Sequence, residues 1–124
     1  MKVKLCKYFP FHGYIAIAIF DKIYWRSEYK SLMEHEDYYK VVVNHESIHE
    51  AQMRDFSKNI YLGGIVFYLC YLFEWLFRLL LTKDFMTQMA YYNISFEREA
   101  FKYECDLSYL QERKPFSQWK MKDE

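Results

Sequence analysis

Between Tyr14 and Arg26 the apolar residues alternate, Ile-Ala-Ile-Ala-Ile followed by Ile-Tyr-Trp-Arg, which is the period-two pattern of half-buried strands. Asp21-Lys22 interrupts this run and marks the turn of a β-hairpin over residues 13–27, although it lacks the chemistry of the favoured two-residue turns. Residues 27–38 are polar and read as irregular. From residue 39 the period changes to three and four: Val42, His45, His49, Gln52 and Phe56 form one stripe of a helix over 39–57. Lys58-Asn59 ends it, and a second helix, apolar almost throughout, covers 60–81. Thr82-Lys83-Asp84 breaks that helix, with Asp84 as N-cap of a short segment over 85–92. Asn93-Ile94-Ser95 breaks the chain again. Ser95 is expected to cap a helix over 95–112, which Pro115 closes. The pattern predicts a mostly helical α+β domain, an N-terminal β-hairpin followed by three main helices, occupying the whole chain 1–124.

The 60–81 segment admits two readings. Its length as a helix is roughly 33 Å, enough to cross a hydrocarbon core. Glu74 and Arg78 would each cost about 2.5–3.5 kcal/mol near a bilayer centre, which leucines at about −0.5 kcal/mol each barely offset. The two charges are also spaced i,i+4 in the order that favours a helical ion pair. The segment is therefore expected either as the core helix of a soluble domain, or as a helix meeting a membrane surface or a partner helix.

Composition narrows the partners. Lys+Arg and Asp+Glu are both 17, and there is no basic run, so nucleic acid is not an expected partner. A hydrophobic content of 52% excludes disorder. The three cysteines, Cys6, Cys70 and Cys105, form no Cys-x-x-Cys pair, which favours a reducing compartment and leaves no thiolate zinc site. The N-terminal Met-Lys-Val-Lys lacks the apolar stretch of a signal peptide. The expected location is the cytoplasm or the cytoplasmic face of a membrane. Aromatic residues make up 22% of the chain, enough to wall off a dry site with few residues.

Two of the four histidines fall in His45-Glu46-Ser47-Ile48-His49. A shuffled chain of this composition produces H-E-x-x-H about once in a hundred. On a helix, positions i and i+4 lie on one face, so both imidazoles can reach one tetrahedral Zn²⁺ while Glu46 reaches a zinc-bound water. His12 and His35 lack such spacing and read as surface residues. A third ligand is required. Asp55, at the last position of the longer H-E-x-x-H-x-x-G-x-x-H/D pattern, would stay on the helix and point elsewhere, because Gln52 stands where that pattern has its glycine.

The later run Phe-Glu-Arg-Glu-Ala-Phe, residues 96–101, contains Glu97-x-x-Ala100, with a small residue one turn after a carboxylate. Together with the H-E-x-x-H this resembles the gluzincin metallopeptidases. The resemblance implies His45 and His49 as zinc ligands, Glu46 as general base and Glu97 as third ligand. Glu99, about 200° further round the helix, is the alternate. The stretches His45–Gln52, Tyr61–Leu81 and Tyr92–Ala100 are also similar to a family of small bacterial H-E-x-x-H proteins, which implies a minimal zincin-like fold. The implied activity is zinc-dependent hydrolysis of a peptide or protein substrate, with a tyrosine near Glu97 (Tyr91, Tyr92 or Tyr103) as oxyanion donor. The competing expectation is a zinc-stabilised binding module without enzymatic activity, itself membrane-associated or partner-binding. Gln52, one turn past His49, either supports a ligand or packs in the helix interior.

Overall fold

A computed structural model describes residues 2–8, 14–82, 91 and 93–121. The alternation read above places Ala16–Ile19 (β2) antiparallel to Lys22–Arg26 (β3), with Ala18 opposite Ile23 and Ala16 opposite Trp25. Facing residues in such a pair share one side of the sheet. The inner side is therefore small on β2 and large on β3, where Ile23 and Trp25 are fully buried. The turn is Phe20-Asp21, one residue earlier than expected, and Phe20 adopts a positive φ of 55°. A local cost for an aromatic in that region is offset by tertiary contacts. The Phe20 ring packs on Tyr61 and Tyr68, and its N–H donates to the Tyr68 hydroxyl. Lys2–Cys6 (β1), not foreseen as a strand, pairs parallel to β3, giving the sheet order β1-β3-β2. This leaves β2 as one edge.

Residues Ser27–Glu34, expected to be irregular, form 3-10 turns, and the first long helix, Glu36–Phe56 (α1), begins three residues before its predicted start. Glu36 and Asp37 in its first turn and Arg54 in its last suit the helix dipole. Extended Ser57 stops it. Asn59 then caps Ile60–Thr82 (α2), its Oδ1 accepting from Tyr61 N–H at 3.0 Å. The two helices pack closely where Gly63 lies against the main chain of α1: a Cβ there would collide with the Met53 carbonyl oxygen. Gly64 similarly leaves room for the Phe20 ring.

Two expectations need correction here. The helix over 95–112 is two helices, Ser95–Tyr103 (α3) and Tyr109–Glu112 (α4). Asn44 Nδ2 donates to the carbonyls of Tyr103, Glu104 and Asp106, drawing the end of α3 onto α1, and Asp106 turns the chain by accepting from Ser108 N–H. The cap of α3 is not the Ser95 side chain. Glu74 of α2 accepts from both Ser95 N–H at 2.6 Å and Ser95 Oγ at 2.7 Å, placing a carboxylate on the helix N-terminus. Glu74 is thus committed to Ser95 rather than to Arg78. The expected Asp84 cap and most of the 85–92 segment lie outside the described residues, as does His12.

The core joins Ala18, Met53, Ile60, Phe67, Ile94 and Phe96, from the sheet, α1, α2 and the start of α3. The reading of 60–81 as a buried core helix holds for one face only, which brings Ile60 and Phe67 into the core. Only 11% of its apolar window is buried, and Leu69, Phe73 and Leu80 are 63%, 75% and 72% exposed.

Candidate metal centre

The His-bearing stripe of α1 faces α3, and α3 starts where Glu74 and the Asn93-Ile94 turn fix it. That crossing brings Glu97, in the first turn of α3, onto both imidazoles. Glu97 Oε1 lies 3.1 Å from His45 Nε2 and 2.9 Å from His49 Nε2. The three ligand atoms lie within 4.8 Å of one another, and all three residues are buried. This group could hold a metal ion.

The outer nitrogens decide how well it could. His49 Nδ1 is 2.8 Å from Gln52 Oε1. Gln52 Nε2 donates to the Phe96 carbonyl and to Glu99 Oε1, both obligate acceptors, so its amide can be oriented only one way. His49 Nδ1 therefore carries the proton, and its Nε2 presents a lone pair inward. His45 Nδ1 is 2.8 Å from Glu104 Oε2 and is fixed in the same sense. Two imidazole lone pairs and a carboxylate oxygen then converge, an arrangement that needs a cation among them. Carboxylate or amide acceptors behind ligating histidines are the usual support of a metal site.

Without a metal, protons supply the positive charge. Burial is the largest influence on His45 and disfavours its charged form, but hydrogen bonds to Glu104 and Glu97 outweigh it and push the ring up to about 10. His49 is likewise raised: burial opposes its charge, and the Glu97 carboxylate outweighs that opposition. Glu97 itself is held well below the usual carboxylate range, because His49 and His45 overcome the burial that would raise it.

Glu46 projects from the adjacent row of α1 into the same cavity as His49 and Glu97. Its Oε2 accepts the Ala18 N–H at 2.9 Å, tying the motif to the edge strand. Burial raises its carboxyl, an effect partly offset by His49 and His45. The cavity holds about 320 Å³ and is mainly apolar, walled by β2 and by Phe67, Tyr68, Tyr71 and Trp75 of α2 and its neighbours. The Arg26 N–H donates to the Ile15 carbonyl, so the odd-numbered residues of β2 carry the ladder bonds. The main-chain groups of Ala16 and Ala18 consequently point to the free edge, towards the cavity that both residues line.

The structure separates the two acidic candidates on α3. Glu99, the alternate ligand, faces away from the imidazoles. It accepts from Gln52, from Tyr109 Oη at 2.6 Å and from Arg113 Nε at 2.6 Å. Arg113 also forks onto Asp55 through Nη1 at 3.0 Å and Nη2 at 2.8 Å, so Asp55 points elsewhere as the missing glycine required. His35 is exposed at the start of α1. Among the tyrosines considered, Tyr91 lines the cavity and hydrogen-bonds Glu97, Tyr103 stacks on Tyr109 at 3.9 Å, and Tyr92 is outside the described residues. Sequence reasoning missed Tyr71, whose hydroxyl donates to Glu97 Oε2 at 2.6 Å, and Glu104 behind His45. Glu104 had a faint signal, lying seven residues, two helical turns, after Glu97. Tyr71 had none among the many rings of α2.

Comparison of the chain with protein-family models, with curated proteins and with solved structures finds no match.

Proposed function

We propose that the chain is a zinc-dependent metallopeptidase of the H-E-x-x-H type. The observation that carries this reading is the convergence of His45 Nε2, His49 Nε2 and Glu97 Oε1, each imidazole fixed from behind, on a cavity that also contains Glu46. Two nitrogens and one carboxylate oxygen are a donor set that suits zinc and leaves a fourth position open. A zinc ion bound there would lower the pKa of a coordinated water and polarise a scissile carbonyl. Glu46, in the same cavity, would take the proton of the attacking water and return it to the leaving amine, and burial raises its carboxyl above the usual range, in the direction that such an exchange requires. The Ala16 main chain on the free edge of β2 can pair with an extended peptide lying along the cavity. Tyr71 and Tyr91, both on the cavity wall with hydroxyls at Glu97, are the candidate donors to the developing oxyanion.

Metal analysis of the purified chain should find about one zinc per chain. His45→Ala or His49→Ala should abolish it, while Glu46→Gln should retain it. Glu46→Gln should also remove hydrolysis of a denatured-protein substrate. Absence of zinc from the wild-type chain under non-chelating conditions would refute the reading. Hydrolysis unchanged in Glu46→Gln would refute its mechanism and leave the zinc-stabilised module.

A further inference from the structure

The outward half of α2 is the largest feature that the metal site does not use. Projected at about 100° per residue, its exposed positions from Tyr61 to Leu80 fill an arc of about 160°. Leu62, Leu69, Phe73, Phe77 and Leu80 are among them, each more than half exposed. The helix runs roughly 33 Å, so this face exceeds the few hundred Å² of apolar patch usual on a soluble monomer. The arc contains no charged residue. Glu74 and Arg78 lie on the inner arc, where Glu74 holds Ser95.

We infer that this face of α2 is half-immersed in a lipid bilayer, with the helix axis along the membrane surface. Two observations select lipid over a protein occupant. A helix apolar on nearly every side belongs in a large core or in a membrane, and the chain's own core leaves about 160° of this one uncovered. The small residues that let helices approach, Gly63 and Gly64, are both on the inner side, spent on Met53 and Phe20. A spanning geometry is excluded by the inner half, which packs on α1 and α3 with Glu74 and the Glu97-bonded Tyr71 among its residues. Leu72 belongs both to the exposed arc and to the wall of the metal cavity, so the cavity mouth meets the membrane surface.

The test uses the full chain, purified in mild detergent and diluted onto phosphatidylcholine vesicles, followed by flotation. The chain should float with the vesicles, and about 0.5 M salt should not release it, because the face is uncharged. Leu69→Glu with Phe73→Glu should reduce vesicle binding more than about tenfold with unchanged far-UV circular dichroism. If that variant loses its helical signal, brominated acyl chains decide: quenching of wild-type tryptophan emission supports the inference and absence of quenching overturns it. Wild-type chain that stays in the aqueous fraction overturns it, whether monomeric or as a dimer that the same substitutions dissociate. Metal content is independent of this outcome, so failure here leaves the zinc reading standing.

Discussion

Arg113→Ala should be among the most destabilising single changes in this protein while leaving His45, His49 and Glu97 in place. The Arg113 side chain is 5% exposed and makes three charge-assisted hydrogen bonds to Glu99 and Asp55 at 3.0 Å or less. The Glu99 side chain is 0% and the Asp55 side chain 7% exposed. Truncation would leave both carboxylates buried without their cation and also free the Gln118 amide oxygen, which Arg113 Nη2 now holds at 3.0 Å. Breaking a buried pair by deleting one partner costs about 3–5 kcal/mol, because the remaining charge stays desolvated. For a domain of this length that corresponds to a fall in Tm of about 10–20 °C. Thermal unfolding followed by tryptophan fluorescence would measure it. On the proposed zinc reading, zinc content should stay at one per folded chain, since Glu99 holds Gln52 behind His49 and makes no contact with the imidazoles. A loss under about 1 kcal/mol would refute the assignment of Arg113 as the buried counter-ion. Loss of zinc from chain that remains folded would refute the assignment of Glu99 as support.

Three further outcomes follow from the geometry. Glu104→Ala should weaken zinc binding about 10–100-fold without abolishing it, measured by competition with a chromophoric chelator, because it removes the acceptor behind His45 and no ligand. Gly63→Ala should destabilise by about 1–3 kcal/mol or more in denaturant titration, since its Cβ meets main chain on α1 that cannot swing aside. The raised histidines set the pH response. In the metal-free chain, the stability contributed by His45 is fully present below its unfolded value of about 6.5 and is lost as pH rises through about 10. On the proposed zinc reading the metal would displace those protons, so binding should release protons, read by calorimetry in buffers of different ionisation enthalpy, and affinity should rise with pH.

The order of elements was legible because periodicity is a local signal. The change from alternation in 14–26 to spacings of three and four after residue 39 marks hairpin and helix wherever the chain goes next. Strand β1 escaped notice because five residues with two lysines carry too little pattern, and its partner β3 lies sixteen or more residues away. The break of the 95–112 helix had no signal in that segment. It depends on Asn44, which reaches three carbonyls from another helix.

The candidate site divides along the same line. The spacing of His45 and His49 by itself put two imidazoles on one face, and Glu46 beside them, because four residues make about one helical turn. Which glutamate joins them was a question of helix crossing. Glu97 and Glu99 are chemically identical and two positions apart. The capping of α3 by Glu74 and the pull of Arg113 turn one to the imidazoles and the other into a buried ion pair. The same holds for the apolar helix. Composition made 60–81 hydrophobic on every side, and only packing decided that Gly63 faces α1, Gly64 the Phe20 ring and Glu74 the start of α3 while leucine and phenylalanine face outward. Local spacing fixes which residues share a face. Which face meets which neighbour is set by contacts between elements far apart in the chain, and those exist only once it has folded.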